Sequence, residues 1–341
     1  MDQLTAHLDR GWDLVQRGET HGAQESARRA LELDPESPEA HNLLGYAAAL
    51  QGDIEEALDA YEQAIVLDDT YVEAMLNAAE LYLHPLADYD EVLGLCEQAL
   101  GLSEYQDEIV DAMMLQLEAL IGKGDADEAR KVLGRVPPGP YEHAAQTFLV
   151  ARAHYELGQL DAAAELLDAA LVQDPDHADA WYYAGLVREE QGDRHRAIDA
   201  LLRSRELDVA TGMPPWAPAP DALKLLTEQA IAGLAPELAA HVDGAVVYIA
   251  AMPGAEVVVD GVDPRTSALI EAVPGGEPEA AGGSKNVRVF VYALNVLKAA
   301  GGPHAIENQI RTALEQEIRA VFGPSPEAEE TNRQDAENAK S

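Results

Sequence analysis

The sequence predicts a mainly α-helical chain: a solenoid of about six helical hairpins over residues 1–211, joined to a small α+β domain. Three observations carry this. Glycine and alanine positions recur at an interval of 34 residues: Gly11 with Gly45, Gly18 with Gly52, Ala23 with Ala57, Ala30 with Ala64, and later Gly158 with Gly192 and Ala163 with Ala197. A fixed period of this length marks a repeat architecture, in which each unit buries its apolar face on its neighbours. The periodicity stops after Asp208, and residues 211–220 read TGMPPWAPAP, which cannot continue a helix. Beyond that linker, runs such as AVVYIAA and NVRVFVY have the apolar, β-branched and alternating character of strands.

The hairpins fall near residues 4–37, 38–71, 72–108, 110–143, 144–177 and 178–211, with one extra residue in the third around His84-Pro85. Spacing about the fourth is irregular. In the second, LLGYAAALQGDIEEALDAYEQAI places small or apolar residues at helical spacing and breaks at Gln51-Gly52-Asp53. Glycine suits that break because it takes a left-handed backbone without a Cβ clash. Gly45, Ala57 and Ala64 allow paired helices to approach closely, while Tyr61 and Trp181 take the large-residue places between hairpins.

These positions resemble the tetratricopeptide repeat. The match rests on Trp181, Gly185, Gly192 and Ala197 in the sixth hairpin, on Leu44, Gly45, Gly52, Ala57, Tyr61 and Ala64 in the second, and on the closing Pro35 and Pro175. It covers residues 4–211 and is weakest in hairpins three and four, where Ala79 and Leu117 stand in the usual glycine place. The resemblance implies that first helices line a concave groove that holds a peptide or partner helix. Carried over residue by residue, the groove positions are Trp12, Asn42, Tyr46, Glu73, Asn77, Glu80, Asp111, Met114, Glu118, Tyr155, Tyr182 and Glu189. Asn42 and Asn77 are the candidates for bonding a peptide backbone, against the plainer reading of solvated polar residues. Tyr182 and Tyr183 are equally expected to pack against the next element. Some members of the family clamp an acidic carboxyl terminus with Lys and Asn, but Leu8, Trp12 and Glu73 occupy the corresponding places, and without cations that ligand is repelled.

In the second domain, residues 221–234 read as a capped amphipathic helix and Pro236 opens a short helical turn. Strands are expected over 245–251 and 286–292, with a short one at 256–259, and a final helix from His304 to about Phe322. A glycine-rich flexible loop is expected at 273–286, and a disordered acidic tail at 324–341. The order of helix, strand, open loop, strand and final helix, closed by Phe322-Gly323, resembles the minimal zincins, a small zincin-like metallopeptidase family, over residues 221–323. In that family the last helix carries HExxH, whose histidines bind zinc while the glutamate serves as general base. Here the place reads Gln316-Glu317-Ile318-Arg319-Ala320. Only the glutamate remains, and the resemblance therefore implies a degenerate, metal-free pseudoenzyme with Glu317 as a vestigial general base. Glu315 and Arg319, four apart, are expected to form a helix-surface ion pair. His304 is expected to be solvated, and Asp174, Asp176 and Asp179 in DPDHAD to cap a helix start. No other motif for catalysis, nucleotide binding or metal binding stands out, and no cofactor is implied.

Composition narrows the function classes. Against 62 Asp and Glu stand 23 Lys and Arg, a net charge of −39 that opposes nucleic acid and anionic membranes. The acidity is uneven: residues 30–122 hold 22 carboxylates and no Lys or Arg. Such a field faces solvent or a basic partner. The single Cys96 permits no internal disulfide, and MDQLTAHLDRGWDL has neither a basic start nor an apolar core, so a soluble cytoplasmic protein is expected. The leading expectation is a non-catalytic scaffold that binds a basic or amphipathic peptide or protein through the groove. A zinc metallopeptidase whose repeats present substrate is the enzymatic alternative, and general adaptation to a saline or very acidic proteome is the alternative account of the charge.

Overall fold

A computed structural model describes residues 3–272 and 287–322. The glycine-rich segment expected to be a flexible loop and the expected disordered tail lie outside the described residues. The chain forms two compact units that divide between Pro175 and Asp176.

The first unit is a row of five hairpins: α1 (Gln3–Gln16) with α2 (Thr20–Leu33), α3 (Pro38–Ala49) with α4 (Ile54–Leu67), α5 (Val72–Leu83) with α6 (Tyr89–Leu102), α7 (Gln106–Gly122) with α8 (Ala126–Leu133), and α9 (Ala144–Glu156) with α10 (Leu160–Gln173). Local chemistry starts these helices. Asp53, Asp88 and Asp125 each accept a hydrogen bond from the backbone N–H three residues on, and Ser37 does the same for Ala40 just before Pro38. Gly52, at φ +79°, turns the second hairpin in the left-handed region where a side chain would be strained. Packing follows from small residues: Ala23, Ala27, Ala30, Ala47, Ala57 and Ala64 are fully buried. At Gly45 a Cβ would lie 2.7 Å from the Tyr61 ring, so the aromatic fills the space the glycine leaves. Ala79 and Leu117, the departures from the repeat pattern, are both buried, each in an apolar cluster of its own hairpin and its neighbours.

The second unit begins with a sixth hairpin, α11 (Ala178–Glu190) and α12 (Arg194–Thr211), and continues through the proline-rich segment into α13 (Pro220–Ala232), α14 (Pro236–Val242), β1 (Val246–Ala250), α15 (Ala255–Val259), β2 (Ala268–Ala272), β3 (Val287–Tyr292), α16 (Ala293–Ala300) and α17 (Ile306–Phe322). The sheet order is β1-β3-β2, with β1 parallel to β3 and β2 antiparallel to it. Val289 and Val291 of β3 meet Leu223 and Ala230 of α13 and Ile310, Leu314 and Ile318 of α17 in one apolar core.

Two sequence expectations are corrected here. The short strand expected at 256–259 is the helix α15, which packs on α12, and a strand not expected from the sequence, β2 at 268–272, completes the sheet. The turn DPDHAD does open a capped helix, α11, where the His177 side chain accepts the cap bond from Ala180 N.

Polar contacts tie the sixth hairpin to the α+β part. Asp208 of α12, its side chain 8% exposed, receives Arg265 Nε at 3.0 Å and Lys298 Nζ at 3.1 Å. Arg265 also reaches Asp179 at 2.7 Å and lies 4.4 Å over the Tyr182 ring, whose hydroxyl donates to Asp263 at 2.8 Å. Burial works to raise the Asp179 carboxyl, but the charge and hydrogen bond of Arg265, with Lys298, leave it below the ordinary value.

Candidate functional site

In the first unit the first helices α1, α3, α5, α7 and α9 lie side by side, each touching the next. Their facing side chains are positioned by the helical period, which brings Glu73, Asn77 and Glu80 onto one stripe of α5 and Asp111, Met114 and Glu118 onto one stripe of α7. These six residues line a single cavity of about 460 Å³, with Leu76, Leu115 and Leu149 supplying apolar surface and His84 and Arg152 completing it. An adjoining cavity of about 240 Å³ shares Asn77, Glu80 and His84 and adds Tyr46. Trp12 stacks edge-on against Tyr46 with ring centres 5.5 Å apart, which places both aromatics next along the row.

The asparagines differ from expectation. Asn42 is fully buried: its amide donates to the Tyr71 hydroxyl at 3.2 Å and to Glu73 Oε1 at 3.1 Å, and its carbonyl accepts from Asn77 Nδ2 at 3.0 Å. A side chain enclosed and bonded in this way holds α3 against α5 and leaves nothing to offer a peptide backbone. Asn77, half-buried and lining both cavities, keeps its own carbonyl and one amide hydrogen. Burial, reinforced by the Glu73 charge, raises the Tyr71 phenol to about 12, so it stays protonated in this network.

The site is acidic. Glu73, Glu80, Asp111 and Glu118 line the larger cavity against one guanidinium, Arg152. That cation is already held by Glu118 at 2.6 Å and by Glu156 at 3.4 Å, and His84 also sits 3.0 Å from Glu118. Glu80 has no polar partner among the described residues, and Asp111 accepts one bond, from Gln146 at 2.9 Å. Partial desolvation raises the Asp111 carboxyl, the Gln146 bond working against it. Burial likewise raises Glu156, opposed by Arg152 and helped by Glu118. Arg152, His84 and the leucines of this wall are not among the groove positions expected from the sequence. Arg152 stands on α9, beyond the cation-free stretch, and only the packing of α7 on α9 brings it in.

Three expected groove residues are not gathered here. Tyr155 of α9 does not line the cavity. Tyr182 and Glu189 belong to the second unit, where Tyr182 is engaged by Asp263 and Arg265 rather than presented to a ligand.

In the second unit, Glu317 accepts a hydrogen bond from the Ile270 backbone N–H at 3.3 Å, which joins α17 to β2. Glu315 and Arg319 form their ion pair at 3.4 Å. Among the described residues no group of three or more His, Cys, Asp or Glu side chains is placed to hold a metal ion. No described helix is long and apolar enough to cross a membrane.

The model of the tetratricopeptide repeat matches residues 8–72 and 149–208, which supports the repeat reading of those segments. Hairpins three and four, where the glycine pattern lapses, fall almost wholly between the matched stretches. Solved structures share the hairpin fold. PilF of Pseudomonas aeruginosa is 18% identical, over 60% of this chain and 91% of its own, with a TM-score of 0.52. PilW, described as a type IV pilus biogenesis factor, is 16% identical over 60% and 92%, with a TM-score of 0.52. The Cut9–Hcn1 assembly of the APC/C is 17% identical over 60% and 40%, with a TM-score of 0.51. At these identities the likeness is one of fold. No curated protein matches the chain.

Proposed function

We propose that the chain is a non-catalytic protein-interaction scaffold whose first unit binds a basic or amphipathic peptide or protein segment in the cavity between α5 and α7. Repeats of this kind typically mediate protein–protein interactions. The single observation that carries the choice of ligand is the lining: Glu73, Glu80 and Asp111 face the cavity without a cation of their own, beside apolar Leu76, Leu115 and Leu149. Arg152 does not neutralise them because Glu118 and Glu156 hold it. A cationic side chain entering here gains charge-assisted hydrogen bonds, and an apolar neighbour gains burial.

The second domain is read as a degenerate zincin-like module on the order of its elements in the sequence. The enzymatic alternative requires ligands at positions held by Gln316 and Ala320, neither of which can bind zinc as histidine does. Cytoplasmic residence is part of the same proposal, supported by the single Cys96, which suits a reducing compartment.

The test is selection of a random soluble peptide pool on the full chain. Enrichment of Lys and Arg spaced by apolar residues supports the proposal, provided that it is lost with Glu80→Gln and Asp111→Asn. Enrichment of acidic or neutral peptides, or no enrichment, overturns it.

A further inference from the structure

We propose that the second unit carries a pocket for a small neutral carboxamide borne on a flat apolar body. A cavity of about 410 Å³ lies between the end of α12, the proline-rich segment and α16. That size falls in the roughly 300–1,000 Å³ range of small-molecule sites, which are mostly apolar with a few placed polar groups. Trp216, Met213, Pro215 and Leu294 supply the apolar wall, and an indole beside a proline and a leucine favours a planar guest.

The polar end is specified by two residues of α16. Asn295 and Lys298 are three apart and so share one helix face, with Cβ atoms about 5–6 Å apart, and both line the cavity. Asn295 is 7% exposed, and its amide hydrogens are spent on Pro264 O at 2.9 Å and Thr266 O at 2.6 Å. Its Oδ1 accepts no bond from the described residues. With both amide hydrogens used, what Asn295 has left to offer at the cavity is an acceptor. Lys298 has a 58% exposed side chain and spends one donor on Asp208, leaving others to give. An N–H for Asn295 next to a carbonyl oxygen for Lys298 is the pattern of a carboxamide.

Charge selects the neutral form. The Lys298 ammonium already has Asp208 at 3.1 Å and Asp179 at 3.9 Å, so a carboxylate guest would meet two carboxylates as well as the Asn295 oxygen. A cationic guest finds no free carboxylate either: the buried Asp208 has both oxygens engaged, by Lys298 and by Arg265. A neutral amide matches both groups without adding charge to this balanced cluster.

The experiment compares naphthamide with naphthoate, which share a body and differ in the polar end, by ligand-observed NMR titration of the full chain. Naphthamide is expected to bind, and naphthoate at least about tenfold more weakly. Trp216→Ala should weaken naphthamide by at least about tenfold. Met213, 45% exposed, gives a second variant in case Trp216→Ala fails to fold: Met213→Trp fills the cavity and should abolish binding with the melting curve unchanged. Equal or preferred binding of naphthoate, no binding of naphthamide at millimolar concentration, or binding that survives Met213→Trp would each overturn the proposal.

Discussion

Replacing Gly45 by alanine tests whether close approach of α3 and α4 organises the repeat. The backbone at Gly45 is ordinary helix, so alanine gains about 0.8–1.0 kcal/mol of helix propensity. Its Cβ, however, would stand 2.7 Å from both Cδ1 and Cε1 of Tyr61 and 3.0 Å from Ala57 O. Favourable carbon contacts are near 3.5–4.0 Å, so the overlap is close to 1 Å. Tyr61 is 1% exposed and has no room to retreat. Overpacking of this kind costs about 1–3 kcal/mol, which leaves Gly45→Ala with a net loss of about 0–2 kcal/mol. Gly94, inside α6 with nothing within 4 Å of its built Cβ, is the control. Gly94→Ala keeps the propensity gain alone, so the two variants should differ by about 1–3 kcal/mol with Gly94→Ala the more stable. Urea unfolding followed by far-ultraviolet circular dichroism reads the difference. If Gly45→Ala were as stable as Gly94→Ala, the close-approach argument would be refuted.

Asn42→Ala strands the Tyr71, Glu73 and Asn77 groups that share its amide, and urea unfolding should show a loss of about 1–3 kcal/mol; an unchanged midpoint would contradict the buried network. Asp208→Ala leaves Arg265, 20% exposed at its side chain, short of its buried partner. Because Arg265 keeps Asp179, a loss of about 1–3 kcal/mol is expected in thermal unfolding, and an undiminished melting temperature would contradict it. Because the folded Asp179 carboxyl sits below its ordinary value, its contribution to stability is present above about pH 4 and is lost as pH falls through the lowered value. An Asp179→Asn variant should flatten that acid limb in melting curves, and an identical limb would count against the Arg265 contact. The raised Asp111 carboxyl protonates earlier on acidification: affinity for a basic peptide should fall on mild acidification, before ordinary carboxylates protonate. Titration of Asp111→Asn should remove that step.

The hairpins were legible because their packing requires residue identity at fixed places. Gly45 admits Tyr61, and Gly52 takes a left-handed backbone, so both leave a mark every 34 residues. Residues 256–259 misled because three consecutive valines favour strand locally, while the segment is helical and packs on α12. The strand β2 was illegible in ALIEA, whose pairing with β3 is a long-range contact. At the site, the acidic positions of α5 and α7 are those that the resemblance to the tetratricopeptide repeat implies. The enclosure of Asn42 was not legible, since polarity at a groove position does not say whether the amide faces solvent or three neighbours. Arg152 escaped notice for a related reason: a cation-free run along the chain is not a cation-free surface.

The central claim is that the cavity between α5 and α7 holds a basic ligand through Glu73, Glu80 and Asp111. Its most direct test is the dissociation constant of one Lys- and Arg-containing peptide, read by fluorescence anisotropy at low salt, on the native chain and on a Glu73→Gln, Glu80→Gln, Asp111→Asn triple variant. A loss of at least about tenfold in the variant, shrinking as salt is added, is predicted. Equal affinity for the two proteins would contradict the account.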